Sequence, residues 1–84
     1  MKIGEIEDVD EALKEVNRLS AKAHEQAAKL AEKYALECEK HGELEYAITF
    51  LALASREYFK VTNEYDGNRC IEKKKDLSKQ LAKR

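Results

Sequence analysis

Apolar or small residues stand at positions 9, 13, 16, 20, 23, 27, 30, 34 and 38, an almost unbroken three-and-four spacing that predicts one helix with one apolar face. Asp8-Val9-Asp10-Glu11 resembles a capping box at its start, and Gly42 in Lys40-His41-Gly42-Glu43 suits the left-handed residue that closes a helix. Beyond that turn, Leu44, Ile48, Leu51 and Tyr58 fall on one side of a second helix and Tyr46, Phe50, Leu53 and Phe59 on others. A helix apolar nearly all round is a central helix. Asp66-Gly67 reads as a turn with Asn68 as the next N-cap. A third helix then carries Ile71, Leu77 and Leu81 on one side and lysines elsewhere. The pattern predicts an all-α fold in a single domain over residues 1–84: a three-helix up-down-up bundle with a long first helix, at about 8–41, 43–63 and 68–83. No repeat period, low-complexity tract or flexible linker is evident.

Helix lengths turn this pattern into a statement about assembly. A first helix of about 33 residues spans roughly 50 Å, whereas a second of about 20 residues spans roughly 30 Å and covers the first only back to about Ala23. Val9, Leu13, Val16 and Leu19 are then uncovered, and burying four such side chains is worth about 6–10 kcal/mol gross. Either the helix breaks near Ser20 and folds back, or another chain covers the stripe. With no Gly or Pro to mark a break, the expectation is an isologous homodimer through Val9, Leu13, Val16 and Leu19.

Composition supports the helical reading: Ala, Glu, Lys, Leu and Arg make up 49 of the 84 residues, and there is no proline. With 39% charged residues and no long apolar run, no membrane span is expected, and the acidic start does not read as a signal peptide, so the expected location is cytoplasmic. A net charge of −1 gives no general pull toward nucleic acid. That bulk figure hides an asymmetry. Glu5, Glu7, Asp8, Asp10, Glu11 and Glu15 outnumber Lys2 and Lys14 at the start, while Arg69, Lys73, Lys74, Lys75, Lys79, Lys83 and Arg84 outnumber Glu72 and Asp76 at the end. Both biases suit helix macrodipoles, and both suit end-to-end attraction or an acidic partner.

Candidate chemistry is sparse. Cys38 and His41 are three apart, with Glu37 four before His41, but two or three ligands beside a helix end fall short of the four that structural zinc wants, so a packed thiol and an exposed histidine are expected. Two cysteines in such a chain do not make a disulfide framework. Lys73-Lys74-Lys75 with Lys79, Lys83 and Arg84 could grip phosphates, although a solvated helix face explains them equally well. Tyr46, Phe50, Tyr58 and Phe59 read as core packing. There is no Gly-rich phosphate loop and no paired acid in a cleft, so neither an enzyme nor a cofactor is expected.

From Ala28 to about Ala82 the chain resembles a microtubule-interacting-and-trafficking (MIT) domain, a three-helix module related to tetratricopeptide hairpins. The likeness is carried by Ala28, Ala31, Tyr34 and Ala35, then Lys40-His41-Gly42-Glu43, then Glu45-Tyr46-Ala47-Ile48 with Leu51, Ala54 and Tyr58. It implies binding of short helical or extended peptides in grooves beside the third helix, with Ile71, Lys74, Lys75, Leu77 and Leu81 at the matching positions. The first helix, too long by several turns, departs from that pattern. A second and slighter likeness is to HEPN ribonucleases, whose arginine-histidine spacing Arg18 and His24 reproduce. The leading expectation is a non-catalytic protein-interaction or assembly module that dimerises through its first helix and takes a partner peptide beside the third. A basic nucleic-acid-associated protein and a minimal HEPN-like ribonuclease are the alternatives.

Overall fold

A computed structural model describes residues 2–84. It is all-helical, with four helices: α1 (Val9–Ser20), α2 (His24–Lys40), α3 (Leu44–Lys60) and α4 (Glu64–Ala82). The expected three-helix count is corrected because the first predicted helix is two. The apolar period runs through positions 20 and 23 without a slip, yet the chain leaves the helix at Ala23, whose backbone is extended at φ −154° and ψ 97°. Folding α1 back along α2 covers the stripe from within: Val9 and Val16 are 2% and 0% exposed, and Leu13 and Leu19 pack partly buried against the core. The four residues expected at a dimer interface are thus shielded by their own chain, which removes the length argument for a dimer.

Each helix packs on the next, α1 on α2, α2 on α3 and α3 on α4, giving a body of 36 × 27 × 13 Å, a slab of successive hairpins. Small residues let the backbones approach: Ala27, Ala28, Ala31 and Ala35 on α2 and Ala47 and Ala54 on α3 are buried, with Phe50 and Leu77 as the largest apolar side chains fully inside. The Tyr34 and Phe50 rings meet at 5.5 Å, tilted by 55°. As expected from its pattern, α3 is central. The stretch before α1 also contributes: Ile3 and Ile6 exchange backbone hydrogen bonds across a tight turn and are both buried. Gly4, at φ +54°, lies so close to Glu37 and His41 at the end of α2 that an added Cβ would overlap them.

The α2–α3 and α3–α4 turns share one geometry, and α2, α3 and α4 begin at residues 24, 44 and 64. In the first turn Glu43 N–H reaches Cys38 C=O and Gly42 N–H reaches Glu39 C=O; in the second Asn63 N–H reaches Tyr58 C=O and Thr62 N–H reaches Phe59 C=O. Both are Schellman closures with a left-handed residue at their corner, Gly42 at φ 75° and Thr62 at φ 57°. A β-branched residue is strained there. Thr62→Gly should therefore raise stability, by about 0.5–1 kcal/mol after the added freedom of the unfolded chain is subtracted, and lift the melting temperature by several degrees in a calorimetric scan.

The third predicted helix begins four residues earlier than expected. Asn63 is the N-cap: its side-chain oxygen accepts from Asp66 N–H at 3.1 Å and its amide donates back to the Asp66 carboxylate at 2.7 Å. Asp66-Gly67 is therefore the first turn of α4 and not a loop. Gly67 is there for space, since the Phe59 ring lies 2.8 Å from where its Cβ would be.

Candidate functional site

Two features stand out: a groove between α2 and α4, and a buried acid where α1 meets α2. The groove, of about 530 Å³, has Ala35 of α2 and Leu51 of α3 on its floor and Leu36 of α2 on its wall. Leu36 is 54% exposed, unusual for a leucine beside a packed helix seam. Two ion pairs brace α2 against α4 along this groove. Arg69 donates to Glu32 through Nη2 at 2.8 Å, and Lys73 meets Glu39 at 2.9 Å. Tyr58 of α3 adds a 2.6 Å hydrogen bond to Glu32, and Asp66 accepts from Arg69 at 3.0 Å, so three helices are tied at one point. Arg69 holds the Glu32 carboxyl below its ordinary range against the opposing effect of burial, with Tyr58 assisting. With Glu32 and Glu39 so engaged and Lys29 paired to Glu25 at 3.3 Å, Lys33 is, among the described residues, the cation that the rim leaves open.

The buried acid is Glu57 of α3, whose side chain is fully enclosed. It accepts a short hydrogen bond from Ser20 Oγ, one from His24 Nδ1 at 2.8 Å, and charged contacts from Lys60 at 3.2 Å and Arg56 at 3.3 Å. Burial pushes its pKa up, but the hydrogen bonds from Ser20, His24 and Lys60 outweigh it and bring the carboxyl down to about 2. Ser20 is the last residue of α1 and His24 the first of α2, so this carboxylate grips both sides of the break. Ser, His and Glu together invite comparison with an acyl-transfer triad, and the geometry argues against it. Ser20 Oγ and the carboxylate both address Nδ1 of His24, whereas a nucleophile needs the other ring nitrogen.

The sequence-predicted partner residues are not one surface. Leu77 is 0% exposed and belongs to the core, because the α4 face at 70, 74 and 77 is the one turned to α3. Ile71 is half-buried and Leu81 packs partly buried against the core. Lys74 lines a second, shallower groove with Ile48, Ala52 and Leu53, and Lys75 is exposed, 3.5 Å from Glu72. Of the basic residues grouped as a phosphate grip, Lys73 and Lys75 each pair with an acid and Arg84 donates to Gly42 C=O at 3.0 Å. Arg18 lines a depression with Glu15, Leu19 and Lys22 while His24 is held by Glu57, so the arginine-histidine pair is not gathered in one pocket. Cys38 lies in the core, its thiol pushed up to about 11 by burial with Glu43 and Glu37 nearby, and His41 turns to Glu37 at 3.1 Å. Among the described residues no three His, Cys, Asp or Glu side chains are gathered as a metal would require, and no helix is long and apolar enough to cross a membrane.

Sequence reasoning passed over Glu57 and Leu36. Each carried a signal: Glu57 stands seven residues after Phe50 and three after Ala54, a charge on an apolar stripe, and Leu36 is a leucine off the stripe of its helix. Comparison with protein-family models, with curated proteins and with solved structures finds no match to this chain.

Proposed function

We propose that this chain is a non-catalytic interaction module that binds an acidic, partly apolar segment of a partner protein in the groove between α2 and α4. The observation that carries this reading is Leu36, held in the open over Leu51 between the Glu32–Arg69 and Glu39–Lys73 pairs. An apolar side chain placed there packs against Ala35, Leu36 and Leu51, and Lys33 on the rim favours a carboxylate beside it. The MIT resemblance spans α2 to α4 and implies peptide binding beside the same helix, but the residues named from it are replaced. Leu36, Leu51, Arg69 and Lys73 line this groove, while Leu77 supports it from the core.

Selection from a displayed random-peptide library tests the reading. Enriched peptides should combine Asp or Glu with a Leu, Ile, Met or Phe, and Leu36→Asp should weaken their binding by at least about tenfold, as expected for losing one large apolar contact. Lys79→Ala, on an exposed part of α4, should leave binding unchanged. Peptides indifferent to Leu36→Asp would defeat the assignment.

A further inference from the structure

The connection between α1 and α2 differs from the other two turns. It has no left-handed residue among those described. Ala21 keeps helical angles at φ −66° and ψ −18°, and Ala23 N–H reaches Leu19 C=O at 2.8 Å, its partner in an uninterrupted helix. On the far side Ala27 N–H reaches Ala23 C=O at 3.0 Å, again the helical partner. Between them the amides of His24, Glu25 and Gln26 lack their helical bonds to the carbonyls of Ser20, Ala21 and Lys22, and Lys22 N–H reaches Leu19 C=O at 3.0 Å in place of Arg18 C=O. Ala23 gives α2 no side-chain cap, so nothing in the local sequence compensates those amides. Ser20-Ala21-Lys22-Ala23 contains good helix formers and neither Gly nor Pro. Tertiary contacts hold the break, and Glu57 supplies the polar ones by gripping Ser20 and His24 at once.

We propose that α1 is exchangeable between two copies of this chain. When Ala23 turns helical, α1 and α2 fuse into one helix over residues 9–40, about 48 Å long. The α1 stripe then leaves its own α2. The surface that accepts it is the α2 face of a second copy, which fits because it is the same surface: Val9, Ala12 and Val16 recover their burial, Tyr34 its hydrogen bond to Glu15 at 2.7 Å, and Gly4 its seat against Glu37 and His41. Two fused helices lie antiparallel about a two-fold axis near residue 22, each chain's residues 2–20 covering the other's α2. The exchange conserves the α1 contacts and adds three backbone hydrogen bonds per chain. Against it stand the entropy of association and the Ser20 bond to Glu57.

The test is the oligomeric state of the full chain, refolded from urea at millimolar concentration and read by size exclusion with light scattering. A dimer should form and persist on dilution, because return requires α1 to unpack. Ala23→Asn, which caps α2 in the broken form, and Lys22→Gly, which disfavours the fused helix, should each raise the dimer dissociation constant at least about tenfold. Glu57→Gln, which loosens the grip on the break, should lower it. In a dimer of isotope-labelled and unlabelled chains, the Glu15–Tyr34 contact should be read between chains. Monomer alone at every concentration in both wild type and Glu57→Gln would overturn the proposal. So would a dimer indifferent to Ala23→Asn and Lys22→Gly, or one whose Glu15–Tyr34 contact stays within a chain.

Discussion

Leu77→Asp should leave the chain unfolded at neutral pH. Leu77 is one of the largest side chains with no exposed surface, seated where α4 closes on α3. Truncation to Ala alone costs about 2–5 kcal/mol through lost transfer energy and the cavity left behind. A carboxylate adds the cost of burying a charge without a partner, and a domain of this size has roughly 5–10 kcal/mol in total. Far-ultraviolet circular dichroism should show loss of most helix for Leu77→Asp, and a urea midpoint lowered but still measurable for Leu77→Ala. A folded, helical Leu77→Asp protein would mean that α4 does not pack as described. The variant therefore cannot serve as a probe of partner binding, whereas Leu36→Asp, already facing solvent, can.

The second large effect is acid sensitivity. Glu57 has an unfolded-chain pKa near 4.5 and a folded value of about 2, so between these pH values the unfolded chain binds more protons than the folded one. The sign follows: the contribution is complete above pH 4.5 and is lost as pH falls toward 2. Its size is about 3 kcal/mol, from about 1.4 kcal/mol per unit of pKa difference. Because the carboxylate is enclosed while His24, Arg56 and Lys60 are partly exposed, a neutral residue at 57 frees those three to be solvated. Urea titrations from pH 7 to pH 2 should show wild type losing this increment. Glu57→Gln should start lower at pH 7, decline less steeply, and converge on wild type at the acid end. Parallel curves for the two proteins would show that Glu57 is not held as its four partners imply.

How much of this was legible in the sequence depends on whether a feature is local. The all-α class, the central α3 and the closure at Gly42 follow from period, composition and one glycine, all of which act within a turn or two of the chain. The break at Ala23 was not legible because nothing local makes it. Alanine there prefers helix, and the reversal is held by tertiary contacts, among them Glu57, more than thirty positions away in sequence. The Gly67 misreading has the same origin. A glycine beside an aspartate signals a turn until a distant ring, here Phe59, is known to need the space. The candidate groove was legible in its side of the molecule but not in its residues. Apolar positions on α4 read as a surface in the sequence, although α3 uses them for packing and leaves Leu36 of α2 as the open contact.

The arrangement of the helices in a row has a consequence for how the molecule approaches others. The acidic residues 2–20, with Asp10, Glu11 and Glu15 exposed on α1, stand at one end of that row, and the basic residues 69–84, with Lys75, Lys79 and Lys83 exposed, at the other. A body that is nearly neutral as a whole thus carries a sizeable permanent dipole moment along its row. In the field of a charged neighbour it rotates before it touches, presenting α4 to anything negative and α1 to anything positive, and salt blunts that alignment within about a nanometre.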